Sequence, residues 1–198
     1  MIKKIADRIV DYQIKISMIK SEEKRIYQYG YIILLEYCIN IVAAALIAVV
    51  FKAHWIMLAY TVSYILLRSY AGGYHAKTSL GCFCMSVCVL ILAIGIIRGI
   101  SDWKMVEILF ATEVFMIPYV FMRIPIPIEN KPMNDNEKRH FGRRTRILYL
   151  LETVVEIALL AVGWRQSALA ILLAHVTILV LVIRDDICKL IEGKSNKA

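Results

Sequence analysis

The chain has 198 residues, is 60% hydrophobic, carries a net charge of +8 and has a mean hydropathy of +0.64. That composition excludes an ordinary soluble domain and points to a polytopic membrane protein. The basic residues fall in short segments between apolar runs, as membrane topology demands, so nucleic acid is not an expected partner.

Residues 1–28 read as an amphipathic interfacial helix: Ile2, Ile5, Ile9, Tyr12, Ile16 and Ile19 recur at three- and four-residue steps, with Lys3, Lys4, Arg8, Lys15 and Lys20 elsewhere on its surface. The segment alternates charge with Ile and Val and has no continuous apolar core, so a cleavable signal peptide is not expected. Six apolar runs follow, near 30–51, 54–68, 80–98, 104–123, 147–163 and 167–184, each judged against the roughly 20 residues that cross a bilayer; the second is short and is expected to borrow length from the segment after it. The expected fold is therefore all-α: a polytopic domain of six transmembrane helices over 29–184, preceded by the amphipathic segment and followed by a tail, 185–198. The long connection 123–146 begins with Pro125 and Pro127, which make a stiff, extended exit from the bilayer.

Charge predicts the orientation. Twenty Lys and Arg residues lie on the side that holds both termini, the 68–79 turn and the 123–146 loop. Only Lys52, Arg98, Lys104 and Arg165 lie on the other. The cell membrane is the expected location, with both termini and the 68–82 loop cytoplasmic.

Chemistry concentrates in that loop. If the third span starts at Thr78 or Ser79, Cys82 sits in its first turn, where the positive end of the helix dipole favours thiolate. His75 is the candidate base close in sequence. On one continuous helix the two would lie about 10 Å apart along the axis, too far for a proton transfer that needs about 3 Å. The Gly72-Gly73 pair permits the backbone to open and fold back. Inert packing is the competing reading of Cys82, and spacing alone leaves both open. Cys84 and Cys88 lie deeper in the same span and read as packing residues. The five cysteines form neither a disulfide framework nor clustered metal ligands, so no metal and no cofactor are expected.

The run Arg68-x3-Gly72-Gly73-x-His75-Ala76-Lys77-x4-Cys82 resembles the signature of the AgrB family, accessory gene regulator B. The likeness extends to the basic start, to Tyr29-Gly30 before the first span and to Pro125-x4-Asn130-Lys131-Pro132. Members are membrane cysteine endopeptidases that process a peptide pheromone precursor, AgrD, for quorum sensing. The resemblance implies that Cys82 is the nucleophile and His75 its general base. It further implies an AgrD-like precursor as partner, held as a thioester on Cys82 until an internal thiol or hydroxyl closes a thiolactone or lactone ring.

Supporting roles in loop geometry or at the oxyanion fall to Arg68, Gly72, Gly73 and Gly81. Within the basic loop, Lys131, Arg143 and Arg144 are candidates to dock the acidic tail of the precursor, although topology and anionic membrane lipids explain the same charge. Glu36, Glu113, Glu152 and Glu156 lie in or at the ends of spans, where a carboxylate is costly; each is expected to pair with Arg68, Arg146 or another polar group, or to orient His75. A homodimer is left open. The rival function is a small membrane transporter or peptide exporter without covalent catalysis.

Overall fold

The computed structural model describes residues 2–71, 79–100, 103–125 and 134–195, and among these every regular element is helical. We number the helices α1 (Ile2–Lys15), α2 (Lys24–Val50), α3 (His54–Ala71), α4 (Ser79–Gly99), α5 (Trp103–Arg123), α6 (Asp135–Ala161) and α7 (Arg165–Ser195).

The amphipathic start is shorter than its periodicity predicts. The chain leaves the helix after Lys15, passes through Ser17 at φ 56° and makes a single 3-10 turn at Ser21–Glu23 before α2 begins. α1 then packs back on α2. Ala6 and Val10 are fully buried there, Lys24 pairs with Asp11 at 2.6 Å, Gln28 donates to Asp7, and Gln13 Nε2 donates to Tyr31 Oη at 2.5 Å. Ile5, Tyr12 and Ile16 remain on the outer face, available to an interface.

Each predicted span coincides with one of the helices α2–α7. Among the described residues three segments, Ser21–Val50, Ser79–Gly99 and Arg165–Arg184, are long and apolar enough to cross a membrane by length and composition, fewer than the six expected. The physical reason lies in the side chains that α3, α5 and α6 carry. α3 holds His54, Arg68 and several hydroxyls, α5 holds Glu107 and Glu113, and α6 holds Glu152 and Glu156 beyond a strongly basic first half. Many of these polar groups turn inward, as shown below.

α6 also corrects the reading of the 123–146 connection. Its second half is helix, started by a capping box in which Asn134 and Glu137 satisfy one another's backbone N–H groups. The helix α7 likewise runs beyond the sixth apolar run, through to Ser195.

α7 is the central pillar. Within its apolar window 56% of residues are buried, against 11% for α2 and 22% for α4, so the last two form outer walls. Ala168, Ala170 and Ala174 are fully buried, and side chains this small let neighbouring helices approach closely. One apolar cluster gathers Ala48, Ile56, Met57, Ile94, Ile97 and Leu172; a second gathers Leu67, Val120, Tyr149, Ile178 and Val182.

Contacts define two ends of the bundle. At one, Trp55 meets Trp164 with ring centroids 5.6 Å apart, and Arg98 donates to the Phe51 carbonyl across the α2–α3 turn. Both tryptophans are exposed, as in an aromatic belt. At the other end, Arg146 donates to the Phe121 carbonyl at 2.8 Å, and Gly142 packs under Pro125. A Cβ at Gly142 would stand 3.2 Å from Pro125 Cδ and 3.4 Å from the Ile124 carbonyl oxygen. Gly142→Val is therefore expected to cost about 1–3 kcal/mol of stability, read as a lower unfolding midpoint in detergent. An unchanged midpoint would mean that this contact opens freely.

Candidate functional site

Cys82 falls in the first turn of α4, as the sequence reading requires. It is half-buried and lines a groove of about 150 Å³ between α2, α3, α4 and α7. Helical spacing builds the walls: Ile33, Glu36, Tyr37, Asn40, Ile41 and Ala44 from α2, and Met85, Ser86, Val89 and Leu90 continuing from Cys82 along α4. α3 contributes Tyr60, Thr61, Tyr64, Ile65 and Arg68. These stripes run about 12–16 Å along their axes at 1.5 Å per residue, so the groove leads from Cys82 toward the middle of the bundle.

Its lining is mostly apolar, with charge concentrated near the Cys82 end. Arg68 is 9% exposed at the last turn of α3, and Tyr64, one turn earlier, lies within electrostatic reach of both Arg68 and Cys82. Of the four glutamates singled out from the sequence, Glu36 is the one that lines this groove. Gly81 directly precedes Cys82 in the same turn of α4. His75, Gly72, Gly73 and Lys131 lie outside the described residues.

Two of the other cysteines differ from expectation. Cys84 and Cys88 are exposed on the outer face of α4 rather than packed inside, and Cys38 and Cys188 are also exposed. A helix that turns Cys82 toward α2 and α3 necessarily turns residues two and six positions further along it elsewhere.

Arg144 of the basic segment reaches the last turn of α3, next in sequence to the 72–78 segment. Arg144 stacks its guanidinium 5.7 Å from the centroid of Tyr70, and Phe141 meets that ring at 6.1 Å. Tyr70 is the penultimate residue of α3, next to the 72–78 segment. Arg143 and Arg144 are both exposed there, on the first turns of α6.

A second polar constellation lies behind the groove. His175 on α7 is fully buried, with Nδ1 2.6 Å from Glu113 Oε1 and Nε2 3.1 Å from Glu152 Oε2. Glu156 Oε2 stands 3.7 Å from Nδ1, and Tyr149 stacks on the imidazole at 4.0 Å between centroids. Ser63 donates to Glu152, and Thr153 donates to Glu113 at 3.2 Å. Glu113, Glu156 and His175 present ligand atoms all within 4.8 Å of one another, a grouping that the reading of the cysteines alone did not anticipate. Three of the four glutamates singled out from the sequence thus meet one histidine, and Arg146 is directed instead to a backbone carbonyl. The signal in the sequence was His175 itself, a lone imidazole in the most apolar part of α7.

The model of the accessory gene regulator B family matches residues 2–183. An AgrB-like protein of Clostridium perfringens strain SM101 is 25% identical over 192 residues, covering 89% of this chain and 90% of its own length. AgrB-like protein 2 of Clostridium perfringens strain 13 is 26% identical over 148 residues, covering 70% and 69%. No solved structure matches the chain. The family match runs through α1 and all but the end of α7, including the Cys82 turn and the groove behind it, and the chain belongs to the accessory gene regulator B family.

Proposed function

We propose that this protein is a six-span cysteine endopeptidase of the cell membrane that trims and cyclises an AgrD-like peptide precursor, with both termini and the Cys82 turn in the cytoplasm. The observation that carries the proposal is the position of Cys82: the first turn of a membrane helix, at the charged end of an apolar groove shared with Arg68 and Glu36.

The proposed chemistry takes Cys82 as nucleophile and His75 as base, the roles that the resemblance implies. The Cys82 thiolate adds to the carbonyl carbon of the scissile peptide, and a C–S bond forms as the C–N bond breaks. His75 takes the thiol proton and gives it to the departing amine of the acidic tail. A thiol inside the retained peptide then attacks the thioester, closing a thiolactone and returning Cys82 to its starting state. Thioester-to-thiolactone exchange is nearly isoenergetic, so cyclisation competes with hydrolysis only where water is excluded; an apolar groove supplies that condition. Glu36 is the carboxylate suited to orient His75 or to meet a cationic part of the peptide, and Arg68 is suited to the oxyanion.

The test is to mix the protein in vesicles with a synthetic precursor that bears an internal cysteine and an acidic end. The proposal expects a free tail, a cyclic product and an acyl-enzyme that hydroxylamine releases. A linear acid as sole product, with no trapped acyl-enzyme, would reject the cyclising mechanism. Exposed Arg143 and Arg144 beside Tyr70 provide a dock for the acidic tail by long-range attraction. Replacing both by glutamine is expected to raise KM about three- to tenfold at low ionic strength, with a smaller effect in salt. An unchanged KM at low salt counts against docking.

A further inference from the structure

The buried constellation behind the groove holds more carboxylate than its neighbours satisfy. Glu113, Glu152 and Glu156 face one imidazole, so even a protonated His175 would leave a full ionised set two charges short of neutrality. Hydrogen bonds account for one oxygen each of Glu113 and Glu152, through His175, Thr153 and Ser63. Glu156 is fully buried, and neither of its oxygens has a hydrogen-bond partner. Tyr149, also fully buried, is within electrostatic reach of all three glutamates. A fully buried carboxylate beside an imidazole, in apolar surroundings, is a group that a bound cation would satisfy.

We propose that Glu113, Glu156 and His175 form a binding site for a divalent transition-metal cation of the zinc class. Imidazole nitrogen with carboxylate oxygen is a donor set that suits such ions. To reach the roughly 3.4 Å separations that bonds of about 2.1 Å impose around a tetrahedral ion, the 2.6 Å pair of Nδ1 and Glu113 Oε1 must open and the Glu156 oxygens, among ligand atoms all within 4.8 Å of one another, must close in. Glu156, held by no hydrogen bond, can turn to do so. The ion replaces the proton between Nδ1 and Glu113, while Nε2 keeps its bond to Glu152, itself anchored by Ser63. A carboxylate bonded to the remote ring nitrogen is the usual way a metal-bound histidine is oriented. The site joins α5, α6 and α7, so its occupancy would brace the back wall of the groove.

The experiment uses the full-length protein in detergent, stripped with chelator, loaded with Zn²⁺ and desalted. The wild type is expected to retain one zinc per chain, with a higher unfolding midpoint and an X-ray absorption spectrum showing nitrogen and oxygen but no sulfur around the metal. Glu156→Gln and Glu113→Gln are each expected to weaken retention by at least about tenfold, and metal-free Glu156→Gln to unfold later than metal-free wild type. Absence of stoichiometric zinc in the wild type would overturn the proposal. So would sulfur in the coordination shell, which points to the cysteines, or retention unchanged in both variants. If neither variant folds, the wild-type stoichiometry and spectrum decide alone. Because none of these readouts involves the precursor, failure here is distinguishable from failure of the peptidase assignment.

Discussion

Cys82→Ala is expected to abolish cleavage of a co-expressed precursor while the protein still accumulates in the membrane. Losing a covalent nucleophile costs on the order of a million-fold where it has been measured in another protease, which puts the variant below detection. The substitution is structurally mild, since Cys82 is half-buried at a helix start and lines a groove rather than a packed core. His75→Ala is expected to lose about 10²–10⁴-fold, the usual share of a positioned base, and to regain part of that activity as pH rises toward the ordinary cysteine pKa. Immunoblots for precursor and product, with membrane abundance as a control, read both outcomes. Persistence of cleavage in Cys82→Ala would reject the nucleophile assignment. Its natural replacement, Cys84, faces away on the outer surface of α4, so such a result would also require a different site.

The second large effect concerns stability. His175→Leu keeps the approximate volume but removes both groups that face Glu113 and Glu152, leaving carboxylates in an apolar interior. Breaking a buried charge pair by deleting one partner typically costs about 3–5 kcal/mol, enough to unfold a marginal membrane domain. The expected result is a steep fall in folded yield and a lower midpoint in denaturant titration. Combining His175→Leu with Glu113→Gln and Glu152→Gln should recover much of the loss, because the penalty arises from the orphaned partners rather than from the missing ring. Tyr149, stacked on His175, anchors the second apolar cluster, so the damage should spread through Leu67, Val120 and Ile178. A single variant as stable as wild type would show that the cluster contributes little.

These two experiments address different halves of the molecule, and the division is visible in the helices. α2 and α4 present wide apolar faces outward, with residues such as Leu46, Val49 and Leu92 exposed, and only a stripe inward. α3, α5, α6 and α7 enclose the polar cluster. Among the described residues α2, α4 and α7 therefore carry the long, nearly uncharged apolar stretches, whereas α3, α5 and α6 carry more polar and charged side chains, several of which face inward.

Local order sets what the sequence by itself determined. The positions of the six long helices, the start of α4 just before Cys82 and the resemblance in the 68–82 run follow from apolar run length, capping chemistry and residue spacing, all of which act within a few turns of chain. The break after Lys15 escaped the periodicity argument because the return of α1 onto α2 depends on Asp7, Asp11 and Gln13 meeting partners well along the chain. Which glutamate joins the groove and which ones gather around His175 is likewise a matter of helix rotation. Glu36 on α2 lines the same groove as Cys82 on α4, whereas Glu113, Glu152 and Glu156 converge from two helices on a third. Residues 19 to 62 positions apart meet there only because packing small alanines on α7 draws its neighbours close enough, and no periodicity along the chain encodes that rotation.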